Sequence, residues 1–389
     1  MRSPDMPDGG DTLSARTVSS MGDIDPTAWE RLAHPPGAPF NPFVSYEFLD
    51  ALERSGSATA ETGWAPAHLV VEDAGALVAA APLYAKGHSQ GEYIFDHHWA
   101  DAYGRAGGAY YPKLLSAAPF TPAQGPRLLA ETPAHKRLLA NALRQLCGQM
   151  GVSSVHVNFI DEADQRLLSE AGFLPRIGEQ FHWFNRGYET FDDFLETLAS
   201  RKRKAIRRER RGAATSGLTI RKLMGGEITP RHWDAFWLFY QDTGARKWGR
   251  PYLTRAFFDI IAETMRERLL LIAAEDDGEP VAGALNFIGG DTLYGRYWGC
   301  LADIPFMHFE LCYHQAIDFA IEHKLKCVEA GAQGEHKIAR GYEPVATRSA
   351  HWIANESFRD AIDRYLTAER RDTDAGIEAL KSYTPFKKT

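Results

Sequence analysis

Residues 269–300 read LLLIAAEDDGEPVAGALNFIGGDTLYGRYWGC, and their pattern decides the fold. Leu269–Glu275 is a short aliphatic run, DDGE supplies turn chemistry, and Pro280–Ile288 is a second apolar run. Glycines and Asp291 then separate Thr292–Cys300, rich in aromatic residues. Runs of this length, bounded by Gly and Asp, predict a β-hairpin followed by a third strand. Beyond it, Phe309, Cys312, Ala316, Phe319 and Ala320 recur at helical spacing over Met307–His323, and Lys326–Ala330 (KCVEA) reads as a short buried strand.

Working outward, the same order occurs once before. His68–Glu72 and Ala76–Tyr84 predict a hairpin across a DAG turn, and Glu92–Phe95 begins a third strand or loop. Pro133–Met150 is an amphipathic helix with Leu139, Ala142, Leu143, Leu146 and Met150 on one face, and Ser154–Phe159 is a strand. A period of about 200 residues indicates two copies of one domain rather than a solenoid. We therefore expect an α/β (α+β) fold of tandem duplicated domains, each with a mixed, mostly antiparallel central sheet flanked by helices. The expected boundaries are a disordered leader over 1–24, a first domain over 25–188, linking helices over 189–268, and a second core with a helical tail over 269–389. Ser45 is the expected N-cap of a helix within Asn41–Leu52. The Gly/Pro-rich stretch from Gly104 to Pro126 reads as a long functional loop.

The chain has 389 residues, enough for two cores, with 44% hydrophobic and 24% charged residues. These values exclude fibrous and wholly disordered classes. Its net charge of −7 excludes a general nucleic-acid coat. Four cysteines without a CxxC pair predict buried thiols and a cytoplasmic setting. The N-terminus lacks the apolar core of a signal peptide, and no apolar run is long enough to span a membrane. P-loop, zincin, α/β-hydrolase and dinucleotide-binding motifs are absent. His97-His98-Trp99-Ala100-Asp101 falls one residue short of the HHxxxD of condensation-type acyltransferases and reads as a polar loop.

A hairpin, a third strand, a helix and a further strand make the order of the GNAT acyltransferase core, and two in tandem resemble the Fem-type branch. GEYIFDHHWA (91–100), YYPKL (110–114), PFTPAQGPRLL (119–129), RKWGRPYLT (246–254), LYGRYWG (293–299), HFELCYHQ (308–315) and EAGAQGEHKIARGY (329–342) resemble a bacterial peptidoglycan biosynthesis/recognition family of the GNAT superfamily. The resemblance implies an N-acyltransferase that moves an acetyl or aminoacyl group onto an amine by direct attack. It implies no tightly bound cofactor, with acyl-CoA or aminoacyl-tRNA as co-substrate and a small-molecule or peptide amine as acceptor. The chain departs from the GNAT pattern after its third strand. The [QR]-x-x-G-x-[GA] loop that grips coenzyme A pyrophosphate is replaced by CLADIPFMHFE (300–310), with Asp303 where an anion would bind. The alternatives are a conventional coenzyme A-dependent acetyltransferase and a non-catalytic protein that binds a cell-wall precursor or RNA.

Acyl transfer to an amine needs a proton acceptor and a donor to the oxyanion. Glu335, His336 and Glu329 are the expected proton-transfer residues, because glycines at a strand's carboxyl end expose the backbone there. The competing reading makes Glu335 and Lys337 solvated, His336 a cap, and Glu329 a buried carboxylate paired with Arg296. Arg296, Tyr297, His308, Gln333, Lys337 and Arg340 are the expected substrate contacts. His308, Glu310, Glu335 and His336 are metal-ligand residue types but lack ligand spacing, so no metal site is expected. Between the copies, a helix over Thr190–Arg211 carries SRKRKAIRRERRGA (200–213), with eight Lys/Arg and one Glu. Such a block is either a solvated face or a surface for tRNA or another polyanion. Lys202, Lys204, Arg207, Arg208 and Lys247 are the expected anion contacts, Lys202 turning inward.

Overall fold

A computed structural model describes residues 13–247, 251–331 and 334–387. In chain order the strands are β1 (Leu13–Val18), β2 (Trp64–Pro66), β3 (His68–Asp73), β4 (Ala76–Ala81), β5 (Tyr84–Lys86), β6 (Lys113–Ser116), β7 (Leu129–Ala130) and β8 (Ser154–Ile160). They continue with β9 (Leu174–Phe184), β10 (Thr219–Met224), β11 (Leu269–Asp276), β12 (Glu279–Ile288), β13 (Thr292–Cys300), β14 (Cys327–Glu329) and β15 (Glu343–Ile353). The helices are α1 (Pro26–Ala33), α2 (Tyr46–Arg54), α3 (His97–Arg105), α4 (Pro133–Met150), α5 (Glu162–Glu170), α6 (Phe191–Thr197), α7 (Ser200–Ala214), α8 (Pro230–Lys247) and α9 (Arg255–Thr264). Met307–Phe309, a π turn over Glu310–His314 and Gln315–Glu322 run on as α10 (307–322), and α11 spans Glu356–Lys381.

The duplicated plan is present in the hydrogen bonding. β1, β3 and β4 pair antiparallel in the first half as β10, β11 and β12 do in the second. Each half then joins a strand in parallel across a helix: β6 with β8 across α4, and β13 with β14 across α10. The halves also exchange their last strands. β9 follows the first half in sequence yet pairs with β14, and β15 follows the second yet pairs with β8. β9 and β15 pair with each other, so an 11-stranded sheet runs β10-β11-β12-β13-β14-β9-β15-β8-β6-β5-β2 through the molecule.

Apolar faces drive this assembly. The seam between the halves is aromatic, with ring centroids 5.2 Å apart for Phe43–Phe287 and 5.8 Å for Phe48–Phe257, all four rings fully buried. Burying such rings stabilises by roughly 1.5–3 kcal/mol each, enough to hold the halves in one arrangement. Ser45 caps α2 as expected, its Oγ accepting from the Phe48 N–H at 3.3 Å.

The structure corrects several local expectations. Leu13–Val18 of the expected leader is an edge strand on β3. Only Val18 is buried, so no apolar alternation announced it, and the ladder with Arg16–Glu72 at 2.7 Å holds it. His97-His98-Trp99 lies in α3, with Trp99 buried, rather than in a loop, and of the two readings for Glu92–Phe95 the loop is the one present. The helix expected over Thr190–Arg211 breaks at Leu198–Ala199. There the chain bonds a returning C-terminal segment, Ala199 N–H donating to the Pro385 carbonyl at 2.8 Å.

Candidate functional site

β13 and β14 run parallel only from Thr292–Tyr294 against Cys327–Glu329. β14 then ends at Ala330-Gly331, where Gly331 takes a left-handed φ of 80°, while β13 runs on to Cys300. The two strands therefore part. β13 is also irregular at this point: Leu285 of β12 faces Tyr297 and Asn286 faces Gly295, leaving Arg296 as an extra residue outside the ladder. The Arg296 side chain is only 2% exposed although the residue is half-buried overall, so its main chain is the part that meets solvent.

That main chain borders a cleft of about 590 Å³. Arg296, Tyr297 and Trp298 form one wall, and His308 and Tyr313 of α10 another. Ala330, Gly331, Gly334 and His336 close the side of β14, and Tyr93 and Phe120 come from the first half. The π turn brings His308 and Tyr313, five residues apart, to ring centroids 5.4 Å from each other. Tyr313 Oη and His336 Nε2 share a hydrogen bond at 2.9 Å, and the His336 and His308 rings are 6.5 Å apart. Gly334, at φ 117°, permits this placement, since a Cβ there would come within 2.5 Å of the imidazole.

Beneath the cleft lie buried charges. Arg296 Nη2 stands 3.5 Å from Glu329 Oε2 and donates through Nη1 to the Gly295 carbonyl at 3.1 Å. Burial pushes the Glu329 carboxyl up to about 7 despite the opposing effect of Arg296. Burial, then the Arg296 charge, lowers the Lys337 ammonium to about 7, and its Nζ donates to the Gly331 carbonyl at 2.8 Å. The same two causes lower His182, the neighbour of Glu329 on β9, to about 3.

The structure thus brings Arg296, Tyr297, His308 and His336 together around one cleft, with Glu329 and Lys337 under its floor. Glu335 is exposed and faces an adjoining hollow instead, because the 3-10 turn Glu335–Arg340 sends consecutive side chains in different directions. Arg340 turns away from the cleft and binds Glu209 of α7 at 2.8 Å. Gln333 lies outside the described residues, as does the Lys247 side chain. On α7, Lys204, Arg207 and Arg208 are exposed and Lys202 is half-buried. Arg207 binds Asp192 at 2.9 Å. Arg203 and Arg210 are half-buried as Lys202 is, and Arg210 is held by Asp318 at 2.6 Å and Glu310 at 3.3 Å. The end of α7 meets the start of α10, where a Cβ on Gly212 would touch the Phe306 ring. Among the described residues no three His, Cys, Asp or Glu converge as metal ligands, and no helix is long and apolar enough to cross a membrane.

Tyr313 and Tyr93 were missed by sequence reasoning. A spacing of five hides Tyr313 from a 3.6-residue period, and Tyr93 arrives from the other half of the chain. The matching gap in the first half, beyond β6 and β8, is filled. The segment after β6 returns across it, Gly125 N–H donating to the Phe159 carbonyl at 2.9 Å, and buries Ala117, Ala118, Phe120 and Ala123.

A family model described as FemAB-like, peptidoglycan biosynthesis/recognition, matches residues 20–388. Among solved structures, FemX superposes with a TM-score of 0.53 at 13% identity, covering 87% of this chain and 98% of that one. The C-terminal domain of a putative lysylphosphatidylglycerol synthetase from Agrobacterium fabrum superposes at 0.53 with 11% identity, covering 89% and 97%. L-PGS from Bacillus licheniformis superposes at 0.50 with 10% identity, covering 86% and 97%. At these identities the likeness is one of fold. No curated protein sequence matches the chain.

Proposed function

Because the chain belongs to the FemAB-like peptidoglycan biosynthesis/recognition family, we propose that it transfers an acyl or aminoacyl group to an amine in the cleft of its second half. The observation that carries this reading is the parting of β13 and β14 beside a bulge that exposes the Arg296 main chain. A carbonyl lying there would meet a main-chain donor as its oxygen gains charge. The amine attacks that carbonyl directly, with no covalent enzyme intermediate. Its proton passes to His336, whose ring Tyr313 orients, and the carbonyl's thioester or ester bond breaks, releasing the coenzyme A thiol or the tRNA hydroxyl, which takes up a proton. Glu329, with a carboxyl near neutrality under the same floor, is a second acceptor within the site.

The donor is aminoacyl-tRNA or acyl-CoA. Its anionic portion rests near the start of α10, where the exposed Lys204, Arg208 and Arg211 of α7 supply positive charge. The filled gap in the first half supports one reactive centre per chain, with the first half contributing Tyr93 and Phe120 to the acceptor side. The test is incubation with charged tRNA, or with acetyl-CoA, and a panel of amines that includes peptidoglycan stem peptides. His336→Ala should lower turnover by about 10²-fold or more. Absence of transfer from either donor by the unaltered protein would refute the assignment.

A further inference from the structure

Beside the cleft lies a second hollow of about 640 Å³, and the two share Tyr93 and Gly334 in their walls. Its floor is the polar face of the exchanged strands. Thr347 of β15 stands opposite Gly178 of β9. A Cβ at Gly178 would come within 2.9 Å of Thr347 Oγ1, so the missing side chain keeps the hydroxyl clear. Thr347 is 2% exposed and lines the hollow, and its hydroxyl has no hydrogen-bond partner among the described residues. The hydroxyl oxygen is not sealed in, so it opens on the hollow and can bond a partner that the hollow admits.

The charges around it that lack an opposite partner are negative. Glu179, Glu335, Glu369, Asp372 and Arg176 are the ionisable residues of the lining that carry formal charge. Arg176 is spent on Glu369, with both contacts at 2.8 Å. Glu179, Glu335 and Asp372 are exposed and make no ion pair among the described residues. Desolvation by the walls, and then the charge of Glu335, raises the Glu179 carboxyl above its ordinary value.

From the open hydroxyl, the unneutralised carboxylates and the shared wall, we propose that this hollow holds a second, cationic amino group of the acceptor. The acceptor is then a diamine or a peptide with a basic side chain, one nitrogen reacting in the cleft while another is gripped at the Glu179–Asp372 rim and by Thr347. This rests on the transferase reading for which nitrogen reacts, but the binding itself needs no acyl donor.

Calorimetric titration at low salt with 1,5-diaminopentane, its monoacetyl derivative and a dilysine peptide tests it. The dication should bind about tenfold more tightly than the monoacetyl compound. Glu179→Gln with Asp372→Asn, both at the exposed rim, should erase that advantage, at about 3-fold per carboxylate. Thr347→Val should weaken the dication by a similar factor while leaving the melting temperature close to that of the parent. Equal affinity for the two diamine forms, or a rim variant that binds as the parent does, overturns the proposal. Selective binding without turnover would leave the hollow standing and remove the transferase reading, and turnover with no preference for dications would do the reverse.

Discussion

Replacing Glu329 with Gln tests the electrostatics under the cleft. Glu329 is 6% exposed, and burial lifts its carboxyl from 4.5 to about 7 although Arg296 stands 3.5 Å away. A pKa higher in the folded than in the unfolded chain means that the folded protein holds the proton more tightly. The stability this group contributes is therefore complete below about pH 4.5 and is lost as pH rises through about 7. The gap corresponds to about 3 kcal/mol. Gln copies the neutral carboxyl in shape and cannot ionise. Urea unfolding of parent and variant should give similar stabilities near pH 5, and the variant should lead by up to about 3 kcal/mol at pH 8. Lys337, lowered to about 7, shifts stability in the opposite direction as pH rises, but it is common to both proteins and cancels in the difference. The contrary outcome follows if ion pairing outweighs burial, since stripping a partner from a buried pair costs about 3–5 kcal/mol. The long single contact, and the bond from Arg296 to the Gly295 carbonyl, argue for burial. Parallel pH profiles, or a less stable variant at pH 8, would refute the reasoning.

Lys113→Met should cost about 3–5 kcal/mol in urea unfolding at neutral pH. It removes the ammonium that binds Glu92 at 2.8 Å and Asp96 at 2.5 Å in a fully buried setting, and a change under 1 kcal/mol would contradict this. Arg201→Gln, Lys204→Gln and Arg208→Gln together should leave the melting temperature unaltered, since all three are exposed. They should also reduce the slope of log affinity for tRNA against log salt by about 2–3, and an unchanged slope would clear α7 of that role. Gly299→Ala should destabilise by about 1–3 kcal/mol or more, because the new methyl would meet the Phe239 carbonyl on α8, and a neutral result in thermal melts would count against the packing of α8 on β13.

The pieces legible from sequence were those whose pattern is local. Pro133–Met150 and Thr292–Cys300 form as the helix and strand read from their periodicity, and the repeated order of runs announced the duplication. β9 and β15 escaped because their partners lie in the opposite halves. Half-polar sequences such as LPRIGEQFHWF and EPVATRSAHWI become strands once β8 and β14 offer them ladders. At the site, Arg296, Tyr297, His308 and His336 were named from their strand, helix-start and loop settings and do meet. Glu335 was named with them and faces elsewhere, since a loop's side-chain directions follow dihedrals that composition does not carry.

By itself, then, the sequence determined which segments form helices and hairpins, that the plan occurs twice, and which polar residues gather after the last strand of the second copy. Those follow from hydrophobic periodicity and turn chemistry within a few residues. Only the tertiary structure decided which copy keeps its parted strands open, where the Arg296 main chain is exposed, and that Tyr93, Glu179 and Thr347 border the same space. Those outcomes depend on strands and loops exchanged between halves far apart in the chain, where packing and ladder completion, rather than local preference, set the arrangement.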